Sequence, residues 1–239
     1  NQFYTFTASG EGRGFGHEVI DPYARAITNF AGRGIVCHDE TPVSPRPTFP
    51  RSEAVIYEMH LRDYTIDPDS GIAHKGKFLG LTERGTRSKE GLATGIDHLL
   101  ELGVNTVQIL PLTSFQLEGK EGQYGWGYDS IHFNSPDGWY STRRDDLTRV
   151  KEMKEMISAL HDAGIRVVMD MVYNHTMEDI FCGRLYSFDA LVPGYYYRLQ
   201  PDGRYYNGSG VGNEFRSEAT MARRFIIDSL KFWVEEYKV

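Results

Sequence analysis

The sequence predicts an α/β fold, with its parallel strands arranged as a barrel, on three observations. Short apolar strands alternate with amphipathic helices in the order β-α-β-α-β-α, which gives right-handed crossovers and parallel strands. Loops after the predicted strands are long, and those after the predicted helices have one or two residues. Long loops at the carboxyl ends of strands are typical of a barrel with its site on that face. An open doubly wound sheet is the alternative, but no Gly-x-Gly-x-x-Gly follows any predicted strand.

Three short segments have the composition of β-strands. Residues 54–59 form the first, and residues 104–110, ended by Pro111, form the second. A loop of more than 25 residues follows the second strand. The third segment, 165–170, is an apolar and β-branched run after Gly164, which predicts a strand buried on both faces.

Three further segments are predicted as helices, because their apolar residues recur at spacings of three and four. Ser88 is expected to cap the first helix and Gly103 to end it. The second runs from about 146 to 163 and the third from about 219 to 236. The residues expected on the core faces are Leu92, Ile96, Leu99 and Leu100 in the first helix, Val150, Met153, Ile157 and Leu160 in the second, and Met221, Phe225, Ile226, Leu230, Trp233 and Val234 in the third.

The composition changes twice along the chain, which predicts three regions. Residues 1–20 are polar and glycine-rich with a short alternating aromatic run, as expected for the last strand of a separate domain. Residues 21–50 are predicted as a linker, stiffened by four prolines between positions 42 and 50. The barrel units are predicted within residues 51–239.

Bulk composition excludes several classes of protein. The net charge is −7 with both signs interleaved, so no basic stripe indicates nucleic acid. No apolar run is long enough for a membrane span, and the first residues lack a secretion signal. Cys37 and Cys182 lie far apart without metal-binding spacing, which favours free thiols and leaves one long-range bridge open. The compartment, cytoplasmic or secreted, stays open.

Polar side chains that could carry chemistry follow the third strand. Asp170, Asn174 and His175 occur within six residues at its carboxyl end. Parallel α/β folds build their sites from residues in this position. The alternative is an ordinary polar loop after a core strand.

The long loop after the second strand contains three aromatic residues separated by glycines, Tyr124, Trp126 and Tyr128, followed by Asp129. Glycines let the backbone bend freely, so flat rings can be presented to a ligand. Such rings stack on the apolar faces of sugars, and a nearby carboxylate can accept hydrogen bonds from hydroxyl groups. The alternative is a glycine-rich loop fastened by buried aromatic residues.

Together these segments resemble the α-amylase superfamily of glycoside hydrolases, and specifically its pullulanase-like (type I) starch-debranching branch. The likeness extends from about residue 20 to the end of the chain. Debranching enzymes usually have Tyr-Asn-Trp-Gly-Tyr-Asp-Pro in the aromatic loop, and Gly125 and Ser130 depart from that pattern. The residues that carry the resemblance are 57–63 (Tyr-Glu-Met-His-Leu-Arg-Asp), 105–111 (Asn-Thr-Val-Gln-Ile-Leu-Pro), 124–130 (Tyr-Gly-Trp-Gly-Tyr-Asp-Ser) and 170–175 (Asp-Met-Val-Tyr-Asn-His).

The resemblance implies a (β/α)8 TIM barrel, of which this chain holds about the first three βα units, preceded by the end of a carbohydrate-binding-like β-sandwich. It implies hydrolysis of α-1,6-glucosidic branch linkages in pullulan, glycogen or starch by a retaining mechanism. In the family, the nucleophile and the acid/base follow the fourth and fifth strands. We therefore expect both beyond Val239, no catalytic residue within this chain, and no activity from this chain alone.

The resemblance also assigns roles to single residues. Tyr128 would stack under the sugar at the cleavage point, and His175 would hydrogen-bond hydroxyl groups of that sugar. Asp129 would contact the adjacent sugar, and Trp126 belongs to the same substrate-binding set. Asp170 would orient an arginine near the nucleophile.

Supporting and partner roles complete the expectations. Asn174 would brace its loop or contribute to a metal site, and His60 and Asp63 are interpreted as structural. No cofactor is required by the resemblance, and bound calcium stays open. The expected partner is an α-glucan, with neither nucleic acid nor membrane. This chain alone should self-associate or need the rest of the barrel.

Two other functions remain open from the sequence. The chain could be a non-catalytic α-glucan-binding or regulatory protein that keeps the aromatic loop without the nucleophile. The parent could instead be a neighbouring α-1,4-acting or branching enzyme.

Overall fold

The computed structural model describes residues 3–6, 16–28, 33–36, 38–115, 124–178 and 185–239. Cys37 and Cys182 lie outside this part of the chain. The strands are β1 (Phe3–Phe6), β2 (Gly16–Val19), β3 (Ile56–Met59), β4 (Thr106–Ile109), β5 (Thr113–Phe115), β6 (Ser130–Pro136) and β7 (Arg166–Met169). The α-helices are α1 (Leu61–Thr65), α2 (Gly95–Glu101), α3 (Thr148–Asp162), α4 (Phe188–Leu191) and α5 (Thr220–Glu236). Short 3-10 helices occupy Arg51–Glu53, Phe78–Leu81 and Gly138–Tyr140.

The central sheet consists of three parallel strands in the order β3–β4–β7, which are the three predicted strands. Glu58 pairs with Gln108, which pairs with Val168. One face packs into the main core, where Val107 and Val167 are buried. The expectation that the third strand is buried on both faces is wrong. Val168, on the opposite face, is 42% exposed because no described element covers that face at the edge strand β7.

Helix α3 packs as predicted. Its expected core residues are buried, and each fully buried aliphatic side chain contributes about 1.5–3 kcal/mol relative to exposure. The Asp146 side chain accepts the backbone N–H of Thr148 at 2.8 Å in the first turn. Gly164 follows the helix with φ +79°, the left-handed conformation that commonly ends helices. The chain then enters β7 directly.

Helix α2 is shorter than predicted, because it begins at Gly95 rather than after Ser88. The Ser88 hydroxyl instead accepts backbone N–H groups of Glu90 and Leu92 within a turn. Leu92 and Leu100, expected in the core, are 68% and 39% exposed, so those two predictions are wrong. Ile96 and Leu99 are fully buried, as predicted.

Helix α5 has the predicted extent but a narrower buried stripe. Its buried residues are Ala222, Phe225, Ser229 and Trp233. Met221, Leu230 and Val234 were expected in the core and are 43%, 43% and 49% exposed. The indole of Trp233 donates to the carbonyl oxygen of Phe133 in β6 at 2.9 Å, which fixes the side of α5 that faces inward. Among the described residues, no helix is long and apolar enough to cross a membrane.

An antiparallel hairpin, β5–β6, lies within the long loop after β4 and was not predicted. All seven residues of β6 are buried. Asp137 fastens its end, because this side chain accepts the backbone N–H groups of Trp139 at 2.6 Å and Phe115 at 3.1 Å. The aromatic loop therefore runs directly into a rigid, buried strand.

Before the barrel units, β1 and β2 form an antiparallel hairpin. The segment predicted as a linker packs against the barrel over much of its described length. Ala26 and Ile27 are fully buried. Further along, the carbonyl oxygen of Ser44 contacts Nδ1 of His161 at 2.9 Å, and Arg166 donates to the carbonyl oxygen of Pro47 at 2.8 Å. The domain division at residue 20 stays a prediction.

Candidate active site

The candidate site lies at the carboxyl ends of the three parallel strands. His60, Leu110 and Asp170 follow β3, β4 and β7 at equivalent positions. Backbone bonds extend the sheet to this edge, since Leu110 donates to Met59 at 3.0 Å and Asp170 donates to Ile109 at 3.0 Å. Side chains at the ends of separate parallel strands converge here.

Tyr128 and Asp170 meet at this edge. The phenol of Tyr128 donates to Oδ2 of Asp170 at 2.7 Å. Burial, and then this hydrogen bond to a carboxylate, raises the pKa of Tyr128 to about 12. The ring itself is 37% exposed, so a flat aromatic face remains open to a ligand. The arginine that Asp170 was expected to orient stays a prediction.

His175 lies behind Tyr128 and is 7% exposed. Its Nδ1 is 3.0 Å from Oδ1 of Asn174, and the ring also hydrogen-bonds the backbone of Tyr128. Burial lowers the pKa of His175, although Tyr128 and the charge of Asp129 act in the opposite direction. A neutral imidazole has one N–H donor and one acceptor nitrogen, so with its hydrogen directed at Asn174 and Tyr128 it can only accept from a sugar hydroxyl.

Asn174 has the contacts of a bracing residue. Its side-chain oxygen contacts His175, and its backbone carbonyl oxygen accepts the backbone N–H of Phe215 at 3.0 Å. Within the described parts of the chain, no group of three or more His, Cys, Asp or Glu side chains is arranged to hold a metal ion.

The described contact of Trp126 is with Tyr124 of the same loop. Its indole, 62% exposed, donates to the hydroxyl of Tyr124 at 3.1 Å. That hydroxyl in turn donates to Asp63. The rings of Tyr124 and Trp126 are both exposed, so the alternative of a loop fastened by buried aromatic residues does not describe them.

Gly127 allows the aromatic loop to pass close to the sheet. Its φ is +86°, and a Cβ atom at this position would lie 2.8 Å from the carbonyl oxygen of Pro111. Both the backbone conformation and the close approach require glycine. Tyr128 is thereby brought down to the strand ends, where Asp170 accepts its hydrogen bond.

Sequence reasoning missed two polar residues on the uncovered face of the sheet. Gln108 donates to Oε1 of Glu58 at 3.3 Å, and the charge of Glu58 contributes to the raised pKa of Tyr128. The sequence did contain a signal for these two residues. Glu58 is the one charged residue of β3, and Gln108 lies between the apolar residues Val107 and Ile109 of β4.

A buried glutamate supports the segment behind His175, and it too was missed. Glu178 is fully buried and accepts backbone N–H groups at 2.8 to 3.2 Å. It also accepts the hydroxyl of Tyr197 at 2.8 Å. The backbone donors are Tyr186, Ser187, Asp189 and Ala190. This one side chain therefore holds the start of α4 against the loop that carries His175.

Parallel strands alternating with helices, with an aromatic residue and a carboxylate meeting at their carboxyl ends, define an α/β protein with a candidate site at that edge. The family model described as "Alpha amylase, catalytic domain" matches residues 76–219, more than half of the chain. The chain therefore belongs to the α-amylase catalytic-domain family and has part of a TIM-barrel fold. This confirms the predicted superfamily.

The relatives are named pullulanase, isoamylase and glycogen debranching enzyme, which confirms the predicted pullulanase-like branch. The pullulanase of Bacillus subtilis (strain 168) is 41% identical over 229 residues, covering 93% of this chain and 31% of that protein. Chloroplastic isoamylase 1 of Oryza sativa subsp. japonica is 34% identical over 246 residues, covering 92% of this chain and 29% of that protein.

Solved pullulanase structures superpose on the same region. The pullulanase of Anoxybacillus sp. LM18-11 complexed with maltotetraose gives a TM-score of 0.88 at 41% identity, covering 94% of this chain and 34% of that one. The pullulanase of Paenibacillus barengoltzii, in complex with maltohexaose and α-cyclodextrin, gives a TM-score of 0.88 at 40% identity, covering 94% of this chain and 36% of that one. The chain thus spans about a third of the length of these proteins.

Proposed function

We propose that the complete protein containing this chain hydrolyses α-1,6-glucosidic branch linkages in α-glucans such as pullulan, glycogen or starch, with retention of configuration. This chain supplies part of the sugar-binding site. The observation that carries the proposal is the pairing of Tyr128 with Asp170 beside buried His175, at the edge where a barrel of this family has its site. The names of the related proteins support the linkage.

Each of these groups fits contact with a sugar. The exposed ring of Tyr128 offers a flat face to the apolar side of a pyranose, and its hydroxyl is already engaged by Asp170. Neutral His175 can accept a hydrogen bond from a sugar hydroxyl, and Asp129 can accept from the adjacent sugar. In this proposal Asp170 fixes the ring plane and Asn174 orients the imidazole.

We place the reacting carboxyl groups outside this chain, in an eight-unit barrel of which about the first three units are present here. Retaining hydrolysis needs a nucleophile and an acid/base whose carboxyl groups are about 5 Å apart. The carboxylates at the described edge have other partners, since Asp170 accepts from Tyr128 and Glu58 accepts from Gln108. No cofactor takes part in the proposed reaction.

The test is release of reducing sugar from pullulan, comparing the complete gene product with the 239-residue chain. We expect activity in the complete product alone, and linear products without new branches. Activity in the short chain would assign the chemistry to carboxylates within it. Inactivity of both would favour a glucan-binding protein, and newly formed branches would indicate a branching enzyme. Assaying after dialysis against a chelator tests whether calcium is needed, and we expect the activity to persist.

A further inference from the structure

Three residues after β3 contact one tyrosine of the aromatic loop. Asp63 accepts the hydroxyl hydrogen of Tyr124. The ring centroids of His60 and Tyr124 are 5.4 Å apart, and the guanidinium carbon of Arg62 lies 5.6 Å from the centroid of the Tyr124 ring. The turn after β3 thus holds Tyr124 at its hydroxyl and through its ring.

The Tyr124 hydroxyl also hydrogen-bonds a second aromatic residue, Trp126. While it donates to Asp63, it accepts the indole N–H of Trp126 at 3.1 Å. Tyr124 and Trp126 are 47% and 62% exposed, and apart from the His60 and Arg62 contacts to the Tyr124 ring, their described contacts are these hydrogen bonds. Their orientation therefore depends on this hydrogen-bonded series from Asp63.

His60 holds the backbone between the two rings. Its Nδ1 accepts the backbone N–H of Asp63 at 3.3 Å, which leaves the ring hydrogen on Nε2. Nε2 lies 3.2 Å from the carbonyl oxygen of Gly125 and 3.0 Å from the hydroxyl of Tyr140. Burial lowers the pKa of His60, which keeps the ring neutral and preserves Nδ1 as an acceptor. Asp63 thus holds Tyr124 and, through its hydroxyl, Trp126, while His60 contacts the backbone of Gly125 between them.

We propose that His60 and Asp63 are positioning residues that fix the rings of Tyr124 and Trp126 as a second sugar-stacking surface, distinct from Tyr128. This inference rests on the proposed function for the nature of the ligand, an α-glucan chain. The second surface would hold sugar units beyond the one at Tyr128. It therefore governs how tightly a malto-oligosaccharide binds, and the bond-breaking step is left unaffected.

The binding and kinetic test uses the complete gene product and four variants. Tyr124→Phe keeps the ring and removes the hydroxyl that joins Asp63 to Trp126. Asp63→Ala removes the acceptor, and Asp63→Asn retains an acceptor oxygen. The matched control is Tyr23→Phe, because Tyr23 is also 47% exposed and also donates to an aspartate, Asp228, at 3.2 Å, on α5.

Maltotetraose affinity is measured by calorimetry, and KM and kcat are measured on pullulan. We expect Tyr124→Phe and Asp63→Ala to weaken affinity and raise KM roughly 3- to 10-fold, which corresponds to about 0.7–1.4 kcal/mol, the loss of one ordinary hydrogen bond, with kcat within about 2-fold. Asp63→Asn should recover part of the affinity, and Tyr23→Phe should match the wild type. Unchanged affinity in Tyr124→Phe, or a fall in kcat alone, would overturn the proposal.

A measurement without sugar separates this inference from the proposed function. The emission lost in Trp126→Phe identifies the contribution of the Trp126 ring, and its anisotropy decay reports how freely that ring moves. We expect faster decay in Tyr124→Phe and Asp63→Ala. An unchanged decay contradicts positioning, whatever the protein binds. A wild type that neither binds maltotetraose nor cleaves pullulan refutes the proposed function. The anisotropy decay then still tests whether His60 and Asp63 position the two rings.

Discussion

The phenol of Tyr128 donates to Asp170 at 2.7 Å, which joins the loop before β6 to the residue that follows β7. The two residues are 42 positions apart in sequence, and each belongs to a different βα connection. The bond forms because Gly127 lets the loop approach Pro111 and because the parallel ladder places Asp170 at the sheet edge. One hydrogen bond therefore reports whether the site is assembled.

Replacing Asp170 with Asn should lower the pKa of Tyr128 from about 12 towards the ordinary value for a phenol. The charged acceptor that favours the protonated phenol is lost, while the contribution of burial remains. Ultraviolet difference titration against Tyr128→Phe isolates this one tyrosine. Pullulan hydrolysis in Asp170→Asn should fall about 10-fold or more in kcat/KM, as expected for loss of a charge-assisted hydrogen bond. A pKa that stays at its wild-type value would mean that the bond does not form in solution.

Replacing Gly127 with Ala should destabilise the protein more than Gly164→Ala does. Both glycines have positive φ, +86° and +79°, so each substitution costs about 1–2 kcal/mol of backbone strain. At Gly127 the new Cβ would also lie 2.8 Å from a backbone oxygen, whereas at Gly164 it meets nothing within 4 Å. We therefore expect Gly127→Ala to lower the free energy of unfolding by about 1–3 kcal/mol more than Gly164→Ala does, which is the usual cost of overpacking.

The measurement is urea unfolding of the complete gene product with each substitution. Gly164→Ala serves as the matched control, because it carries the conformational strain without the collision. Equal losses in the two variants would show that the loop moves away from Pro111 without cost.

The sequence predicted the three parallel strands and the extent of α3 and α5, because apolar periodicity and helix-ending glycines are local signals. It failed on the core faces of two helices. Phe225 and Trp233 of α5 are buried as predicted, but the buried stripe is narrower than expected and leaves Met221, Leu230 and Val234 exposed. The inward-facing side is set by a distant contact, since the indole of Trp233 donates to the backbone carbonyl oxygen of Phe133. No local pattern records such a contact.

The candidate site, like the fold, was predicted from the sequence only in part. Tyr128, Asp170 and His175 were identified from motifs and are brought together by the fold. The contacts that hold them in place were not predictable, because Glu178 acts through backbone N–H groups distant in sequence. Its donors carry no side-chain signature, so the sequence around them shows nothing distinctive.

Replacing Glu178 with Ala should cost about 3–5 kcal/mol of stability. Four backbone N–H groups and the hydroxyl of Tyr197 would lose a buried acceptor. Glu178→Gln should also destabilise, since an amide N–H₂ would face groups that are themselves donors. Glu155→Ala, on the exposed side of α3, is the control and should change stability by less than about 0.5 kcal/mol. Thermal unfolding of the complete gene product gives the comparison, and a Glu178→Gln variant as stable as the wild type contradicts the network described.

The 239-residue chain alone should self-associate through the groove beside β7. Val168, Leu230 and Val234 line this open groove of about 520 Å³, and all three are more than 40% exposed. Burying them against another chain removes apolar surface from water, so Leu230→Lys should weaken association about 10-fold. Ile227→Lys is the matched control, because Ile227 is 45% exposed on the same helix but does not line the groove. Sedimentation velocity over a range of concentrations measures the self-association of the unchanged chain and of each lysine variant. A chain that stays monomeric throughout, or equal effects of the two lysines, would exclude this groove as the contact surface.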